Sequence, residues 1–472
     1  MGSRVVVVGA GISGLAAAHA LGAALPDEVE VLVLEGSPVI GGKLRAGEVA
    51  GLPCDLGAEA LLNRRPEAVA LARAVGLTDD IVHPAVTGAA VWTRGAVRAM
   101  PRTVMGVPVD IDALGRSGIV SRTGIARARF EPWLPYAAID ASHADTVSVG
   151  ALVDRRFGAE ITDRLVEPLL GGVYAGDARQ LSLAAAAPQV ARLAANGSLL
   201  RAAASTDSAA AEPVFAGIRG GVGRLPAAVA AGSRARIRTG ATVRGLHHRA
   251  GGGWELVVGA TADAERVGAA AVVLATPAPA SARLLDEVSS QAATQLRRIE
   301  YAGMAVGTLA YPSAVVADLR GSGFLVPPVD GRAVKAATFS ANKWQWLGGL
   351  CERESVTLLR ASIGRHGGEA VLQRDDGELV EMAAGDLEDA VGLRGPLVDA
   401  LVTRWGGALP QYAVGHVGRV GRIRTAVDAV DRLEVCGAAY DGIGIAACVA
   451  DGQRAATRIV AGLRREGEWP NE

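Results

Sequence analysis

Unbroken apolar runs of four to six residues alternate along this chain with stretches in which apolar positions recur every three or four residues. That alternation marks strands buried on both faces and separated by helices, the pattern of an α/β fold. The first run, Val5–Val8, passes through Gly9-Ala10-Gly11-Ile12-Ser13-Gly14 into an Ala- and Leu-rich helical stretch, Leu15–Leu25. A second run, Val29–Leu34, ends in an acid, Glu35. The same strand-to-helix order returns at Val272–Pro277 and again at Leu433–Ala439, which precedes a helix expected from Asp441 through Ala461. Ala46–Asp55 reads as a hairpin, and Ala85–Met100 as strands flanking a turn. Helical periodicity covers residues 106–200, interrupted at Pro188 and Gly197. Arg201–Glu212, rich in Ala and Ser, reads as a loop or linker. Ile218–Leu225 then opens a helix that leads to a strand pair around Ile237 and Val243.

The glycine spacing gives the first run its chemistry. Gly9 permits the tight turn, Gly11 lets backbone approach a pyrophosphate, and Gly14 lets the helix pack closely on the strand. Unpaired N–H groups and the dipole at that helix start favour an anion by roughly 0.3–1 kcal/mol at exposed sites. Glu35, at the end of the second strand, is placed to accept hydrogen bonds from a ribose, and its charge disfavours a 2′-phosphate. Beyond it, Gly36 and the pair Gly41-Gly42 before Lys43 indicate backbone lying against a ligand larger than NAD, which points to FAD.

Composition narrows the setting. At 472 residues the chain exceeds one typical core. A net charge of −1 gives no bulk attraction for nucleic acid, and only three of the 48 basic residues are lysine. The four cysteines form no metal-spaced cluster and no CxxC pair, so reduced thiols and no metal are expected. No run reaches the roughly 18 apolar residues of a membrane span, and the N-terminal valines lack the flanks of a signal peptide. A cytoplasmic location is the expectation. Leu114–Tyr136 carries four arginines beside Phe130, Trp133 and Tyr136. It reads as a solvated helical face whose membrane contact is at most peripheral.

Several motifs carry a family resemblance. Val166-Glu167-Pro168-Leu169-Leu170-Gly171-Gly172-Val173-Tyr174-Ala175-Gly176-Asp177 is one, Arg404-Trp405-Gly406-Gly407-Ala408-Leu409-Pro410-Gln411-Tyr412 with Gly415-His416 is a second, and Ala439-Tyr440-Asp441-Gly442-Ile443-Gly444-Ile445 is a third. With Asp55-Leu56-Gly57-Ala58-Glu59 they cover nearly the whole chain, which resembles the protoporphyrinogen/coproporphyrinogen oxidase family within the FAD-dependent amine oxidase superfamily. Lys43 stands where that family often has Arg. The resemblance implies a glutathione-reductase-type FAD-binding Rossmann domain (1–62, 213–298 and 405–472) interleaved with an α+β substrate domain (63–105 and 299–404) and a helical insertion (106–212). It implies non-covalent FAD held by Gly9, Gly11, Ile12, Ser13, Gly14, Glu35, Gly36, Gly42, Lys43, Gly57, Ala58, Glu59, Ala60, Val243, Thr276, Trp405, Gly437, Gly444, Ile445 and Ala446. Val243 would hold the adenine, and the helix after Gly444 would meet the flavin ring and ribityl chain.

By the same resemblance the reaction is an oxygen-dependent oxidation of coproporphyrinogen III to coproporphyrin III with peroxide release, a step of haem biosynthesis. The lack of a long hydrophobic or targeting extension favours coproporphyrinogen over protoporphyrinogen IX. A porphyrinogen methylene flanked by electron-rich pyrroles loses hydride readily, so no protein acid, base or metal is required, and none is assigned. Propionates need cations, and Arg65 and Arg98 are the candidates, with Val173 packing on the macrocycle. Ferrochelatase is an expected partner from the pathway, though no docking motif is present. An amine oxidase, a carotenoid desaturase and a non-catalytic flavin or porphyrin carrier remain alternatives. The strand Tyr301–Thr308 lacks the lysine that amine oxidases place near the flavin. The histidines, His416 included, read as structural.

Overall fold

The computed structural model describes residues 4–135, 139–140, 143–195, 197–206 and 213–465. The strand Arg4–Val8 (β1) and the strand Glu30–Leu34 (β2) flank the helix Ile12–Ala24 (α1). They lie in a five-stranded parallel sheet ordered 236–238, β2, β1, 271–274 and 433–435. Successive valines of β1 feed opposite cores. Val5 and Val7 pack with α1 on one face, whereas Val6 and Val8 pack with Trp254, Leu256 and Ile423 on the other. Burial on both faces is why the run is uniformly apolar, and each buried valine contributes about 1.5–3 kcal/mol.

The helical segment includes the helix Glu167–Tyr174 (α2), which is entered through a π turn at Thr162–Val166 and stops where Ala175 takes a left-handed φ of 50°. Leu165, Leu170 and Tyr174 are part of its own buried cluster. Around the interruptions expected at Pro188 and Gly197 stand three short helices, Leu183–Ala186, Pro188–Ala194 and Leu199–Ala204.

A second sheet has seven strands. It runs Asp399–Pro410 (β6), Tyr301–Pro312 (β3), Val356–Ile363 (β5), Val334–Thr338 (β4), then 323–325, 90–93 and 96–99. Ala305, Leu309, Ala361 and Ile363 on one face pack with the helix Asp376–Val391. Alternate residues Met304, Val306, Arg360 and Ser362 therefore face the other way. The final helix, Ile445–Arg465 (α3), lies against α1, with Ile459 and Leu463 in the same core as Leu15 and Leu21.

Two expectations need correction. Ile237 and Val243 are not a strand pair: 236–238 joins β2 in the parallel sheet, and Val243–His248 starts an antiparallel meander with Trp254–Val258. Arg201–Ala204 is helical, capped by the Ser198 hydroxyl, while 207–212 of that expected linker lies outside the described residues. The ladder of β6 with β3 runs from Asp399 to Pro410, across the position between 404 and 405. Phe130 and Trp133 are 62% and 73% exposed on the solvated corner, and Tyr136 lies outside the described residues. Among the described residues no helix is long and apolar enough to cross a membrane, and no group of His, Cys, Asp and Glu is arranged to hold a metal.

Candidate active site

A cleft of about 1000 Å³ opens at the carboxyl ends of the parallel strands and runs to the exposed face of the seven-stranded sheet. Ligand sites in open α/β sheets form at strand carboxyl ends because loops diverge there and helix N-termini converge. Val8, Leu34, Ala275 and Gly437 mark the ends of four strands along its wall.

The three glycines do different work. Gly9 adopts φ 105°, and a side chain there would meet Ala275 O at 2.9 Å. A Cβ on Gly14 would sit 1.9 Å from Gly9 O, so this glycine sets how closely α1 follows β1. A Cβ on Gly11 meets nothing within 4 Å and would project into space that the cleft keeps open. The Glu35 carboxylate accepts from Ala10 N at 2.7 Å and Ser37 N at 2.8 Å, which fixes it beside the glycine loop. An open backbone cradle at a helix start, with a pinned acid beside it, fits the pyrophosphate and ribose of a dinucleotide.

Farther along, Gly57 must be glycine because a Cβ would lie 2.0 Å from Lys43 O and 3.2 Å from the Trp405 ring. Trp405 donates from its indole to Leu56 O at 3.0 Å and lies under the Arg45 guanidinium. Burial lowers the Lys43 ammonium below its ordinary range, opposed by the Cys448 thiol. The Tyr412 hydroxyl accepts from Gly442 N at 2.8 Å and donates to Ala438 O at 2.7 Å, tying the turn before α3 to the end of the last parallel strand. Asp451 on α3 accepts from Gly437 N at 2.9 Å, a second tie at the same place.

Behind Gly57 lies a compact ionic cluster. Glu59 is contacted by Arg360 at 3.2 Å and Lys343 at 3.3 Å, and it accepts from the Trp344 indole at 3.0 Å. Burial raises the Glu59 carboxyl, yet Lys343 and Arg360 outweigh it and hold the group at about 2. Arg360 also donates to Gly57 O.

The cleft is lined by Gly9, Gly11, Ile12, Ser13, Glu35, Gly36, Gly42, Lys43, Gly57, Ala58, Val173, Val243, Thr276, Trp405, Gly437 and Ile445. Gly14, Glu59, Ala60, Gly444 and Ala446 are not among the lining residues. Gly14 and Glu59 act on the wall from behind, through the contacts just described.

Arg65 and Arg98 do not reach the cleft. Arg65 precedes the helix Pro66–Ala74 and pairs with Glu67 at 3.0 Å, because Leu61–Leu62 pairs with Phe215–Ala216 and carries the chain away after Ala60. Arg98 lies on the far edge strand of the seven-stranded sheet, where it donates to Thr93 O at 3.3 Å and Arg94 O at 3.4 Å. Lining residues that the sequence reading did not assign to the site include Arg244, Arg283, Tyr301, Met304, Val306, Thr338, Arg360 and Ser362. One charge inside the apolar run Val356-Thr357-Leu358-Leu359-Arg360 was the available signal for Arg360.

The family described as flavin containing amine oxidoreductase matches residues 12–460. A protein of Mycobacterium tuberculosis named coproporphyrinogen III oxidase is 36% identical, over 97% of both chains. One of the same name from Bacillus subtilis is 29% identical, covering 96% of this chain and 97% of the other. A crystal structure from Exiguobacterium sp. 255-15, named as a candidate protoporphyrinogen oxidase, superposes with a TM-score of 0.86 at 26% identity, over 98% of this chain and 99% of that one.

Proposed function

The chain belongs to the flavin containing amine oxidoreductase family, and from that membership we propose an oxygen-dependent coproporphyrinogen III oxidase that carries non-covalent FAD. The observation that carries the reading is the cleft wall opposite Trp405. In register with it on β3 stands Met304, and no lysine of the seven-stranded sheet lines the cleft among the described residues. Lys335 is turned toward Gly171 O, and Lys343 is committed to Glu59. Both lysines outside the glycine-loop region are thus unavailable for the role an amine oxidase gives one. Full-length similarity to proteins named coproporphyrinogen III oxidase supplies the substrate class.

When bound, the flavin supplies a two-electron acceptor that oxygen reoxidises. This chain's residues do the rest by shape. Met304, Val306, Leu409 and the partly exposed Val173 present an apolar slot that excludes water from a flat macrocycle. Glu35, the glycine loop and the N-terminal end of α3 would hold the nucleotide. Cys448 lines the cleft, but burial lifts its thiol to about 11, so it stays protonated and is a poor nucleophile for a covalent link. In the proposed net reaction one porphyrinogen and three O₂ give one porphyrin and three H₂O₂. The product is the substrate class of a ferrochelatase.

The test is anaerobic purification followed by aerobic fluorescence assay of coproporphyrinogen III and protoporphyrinogen IX, with flavin absorbance and peroxide read on the same sample. A yellow protein that forms coproporphyrin faster than protoporphyrin is expected. A yellow protein inert toward both would overturn the proposal.

A further inference from the structure

The cations that line the cleft divide by origin. Lys43, Arg244 and Arg283 come from segments that flank the five-stranded sheet, where the nucleotide features lie. Arg360 alone comes from the seven-stranded sheet, among the described residues. It shares that face with Met304, Val306 and Ser362, and its neighbour in register on β4 is Thr338.

Its side chain is 10% exposed, and the guanidinium is fixed on one side by Gly57 O and the Glu59 carboxylate. Two protein acceptors thus meet a group with five N–H donors. The residue is also part of the cleft wall. Lys343 also contacts Glu59, so two cations share that carboxylate, and the Asp55 carboxylate lies close enough to feel the Arg360 charge. A rigid, partly desolvated guanidinium with spare donors is organised in advance for a planar carboxylate. Ser362 and Thr338 add hydroxyls to the same stretch of wall.

We propose that Arg360 is a specificity-determining residue of the substrate compartment, recognising one propionate carboxylate of the porphyrinogen, with Ser362 and Thr338 beside it. This rests on the proposed function and replaces Arg65 and Arg98 in that role. The Glu59 pair is then a positioning device, since it holds the guanidinium plane still before substrate arrives.

The test uses flavin-loaded enzyme, wild type and Arg360→Met, with Arg360→Lys as the variant that keeps the charge and loses the fork. Coproporphyrin III and its tetramethyl ester are titrated by flavin and porphyrin absorbance, and KM and kcat are measured with coproporphyrinogen III. Losing a charge-assisted contact predicts a ten- to hundred-fold weaker Kd and higher KM for the acid, a smaller change in kcat, and little change for the ester. Lys should recover part of the loss. Flavin content and Tm report folding, and if the Met variant does not fold, the Lys variant against the ester decides. Equal effects on acid and ester, or an unchanged Kd with a shifted flavin potential, would overturn the assignment. Wild type that turns over coproporphyrinogen while the variants bind normally sinks this inference alone. Wild type that neither binds nor oxidises it sinks the proposed function as well.

Discussion

At the scale of single residues, the glycine loop separates stability from binding. Gly11→Ala has room for its methyl and a compatible φ of −68°, so the apoprotein should melt within about 0.5 kcal/mol of wild type. The methyl would stand where the cleft is open, so flavin retained through purification should fall. Gly14→Ala should do the reverse first. Helix propensity favours Ala by about 1 kcal/mol, but a Cβ 1.9 Å from Gly9 O must push α1 off β1, an overpacking cost of about 1–3 kcal/mol. Denaturant melts of both apoproteins decide, and a Gly14→Ala protein as stable as wild type would refute the account. His416 gives a pH signature instead. It is 1% exposed, stacked on Tyr412 at 3.8 Å, with Nε2 3.1 Å from Tyr440 O and no partner for Nδ1. Burial lowers it to about 4, with Arg419 adding to the effect and the Tyr440 carbonyl and Asp145 opposing it. The unfolded chain therefore binds the proton first. Stability is lost as pH falls from about 6.5 toward 4, by about 1.4 kcal/mol per unit in that window. His416→Asn should flatten that part of the Tm profile, and an unchanged slope would assign the acid sensitivity elsewhere.

At the scale of elements, what could be read from the chain is what local pattern dictates. The uniform valines of β1, the Gly-x-Gly-x-x-Gly turn and the acid ending β2 each report an environment fixed within a few residues, and all fall where expected. Arg65 stands outside the cleft lining although Gly57-Ala58-Glu59 is close in sequence, since Leu61–Leu62 joins the strand at Phe215 and leads the chain away. Arg360 was overlooked because its partners, Gly57 and Glu59, are some 300 residues away. Lys335 shows how one element's irregularity escapes a period-two reading. The β4–β5 register shifts between Val334 and Ala336, so Lys335 is the bulged residue and is re-aimed at α2, where Nζ meets Gly171 O at 3.4 Å. It is 3% exposed, and burial, helped by Arg365, lowers its ammonium to about 7. Between 7 and its ordinary 10.5 the unfolded chain binds more protons, so this residue's penalty is full below 7 and fades as pH rises. Lys335→Met, which keeps the stem and removes the charge, should raise Tm at pH 7, and the gain should shrink toward pH 10. A lower Tm at pH 7 would mean that the Gly171 contact outweighs the cost of burying the amine.

At the scale of the whole molecule, the cleft is assembled from both ends of the chain, and the fold class was legible because each end carries its own strand–glycine–helix signal. What sequence could not show is how tightly those ends must fit. α3 crosses α1 at Gly452, where a Cβ would lie 2.2 Å from Ser13 O and 3.1 Å from Ala17 N. Ser13 lines the cleft, and so do Ile445 and Cys448 at the start of α3. One helix contact therefore sets the separation of two walls whose residues are more than 400 positions apart in sequence. Any side chain at 452 must part the helices, since the nearest obstacles are backbone atoms of α1 that cannot rotate away. Gly452→Val should consequently lower stability by a few kcal/mol and release flavin, although position 452 does not itself line the cleft. Gly462→Ala is the internal control. It lies on the same helix with nothing within 4 Å of an added Cβ, so helix propensity alone should act, to raise stability by up to about 1 kcal/mol with flavin retained. Flavin-to-protein absorbance ratios and Tm for the two variants test the coupling. Loss of stability at 452 with flavin fully retained would show that the two walls hold the cofactor independently of the helix crossing.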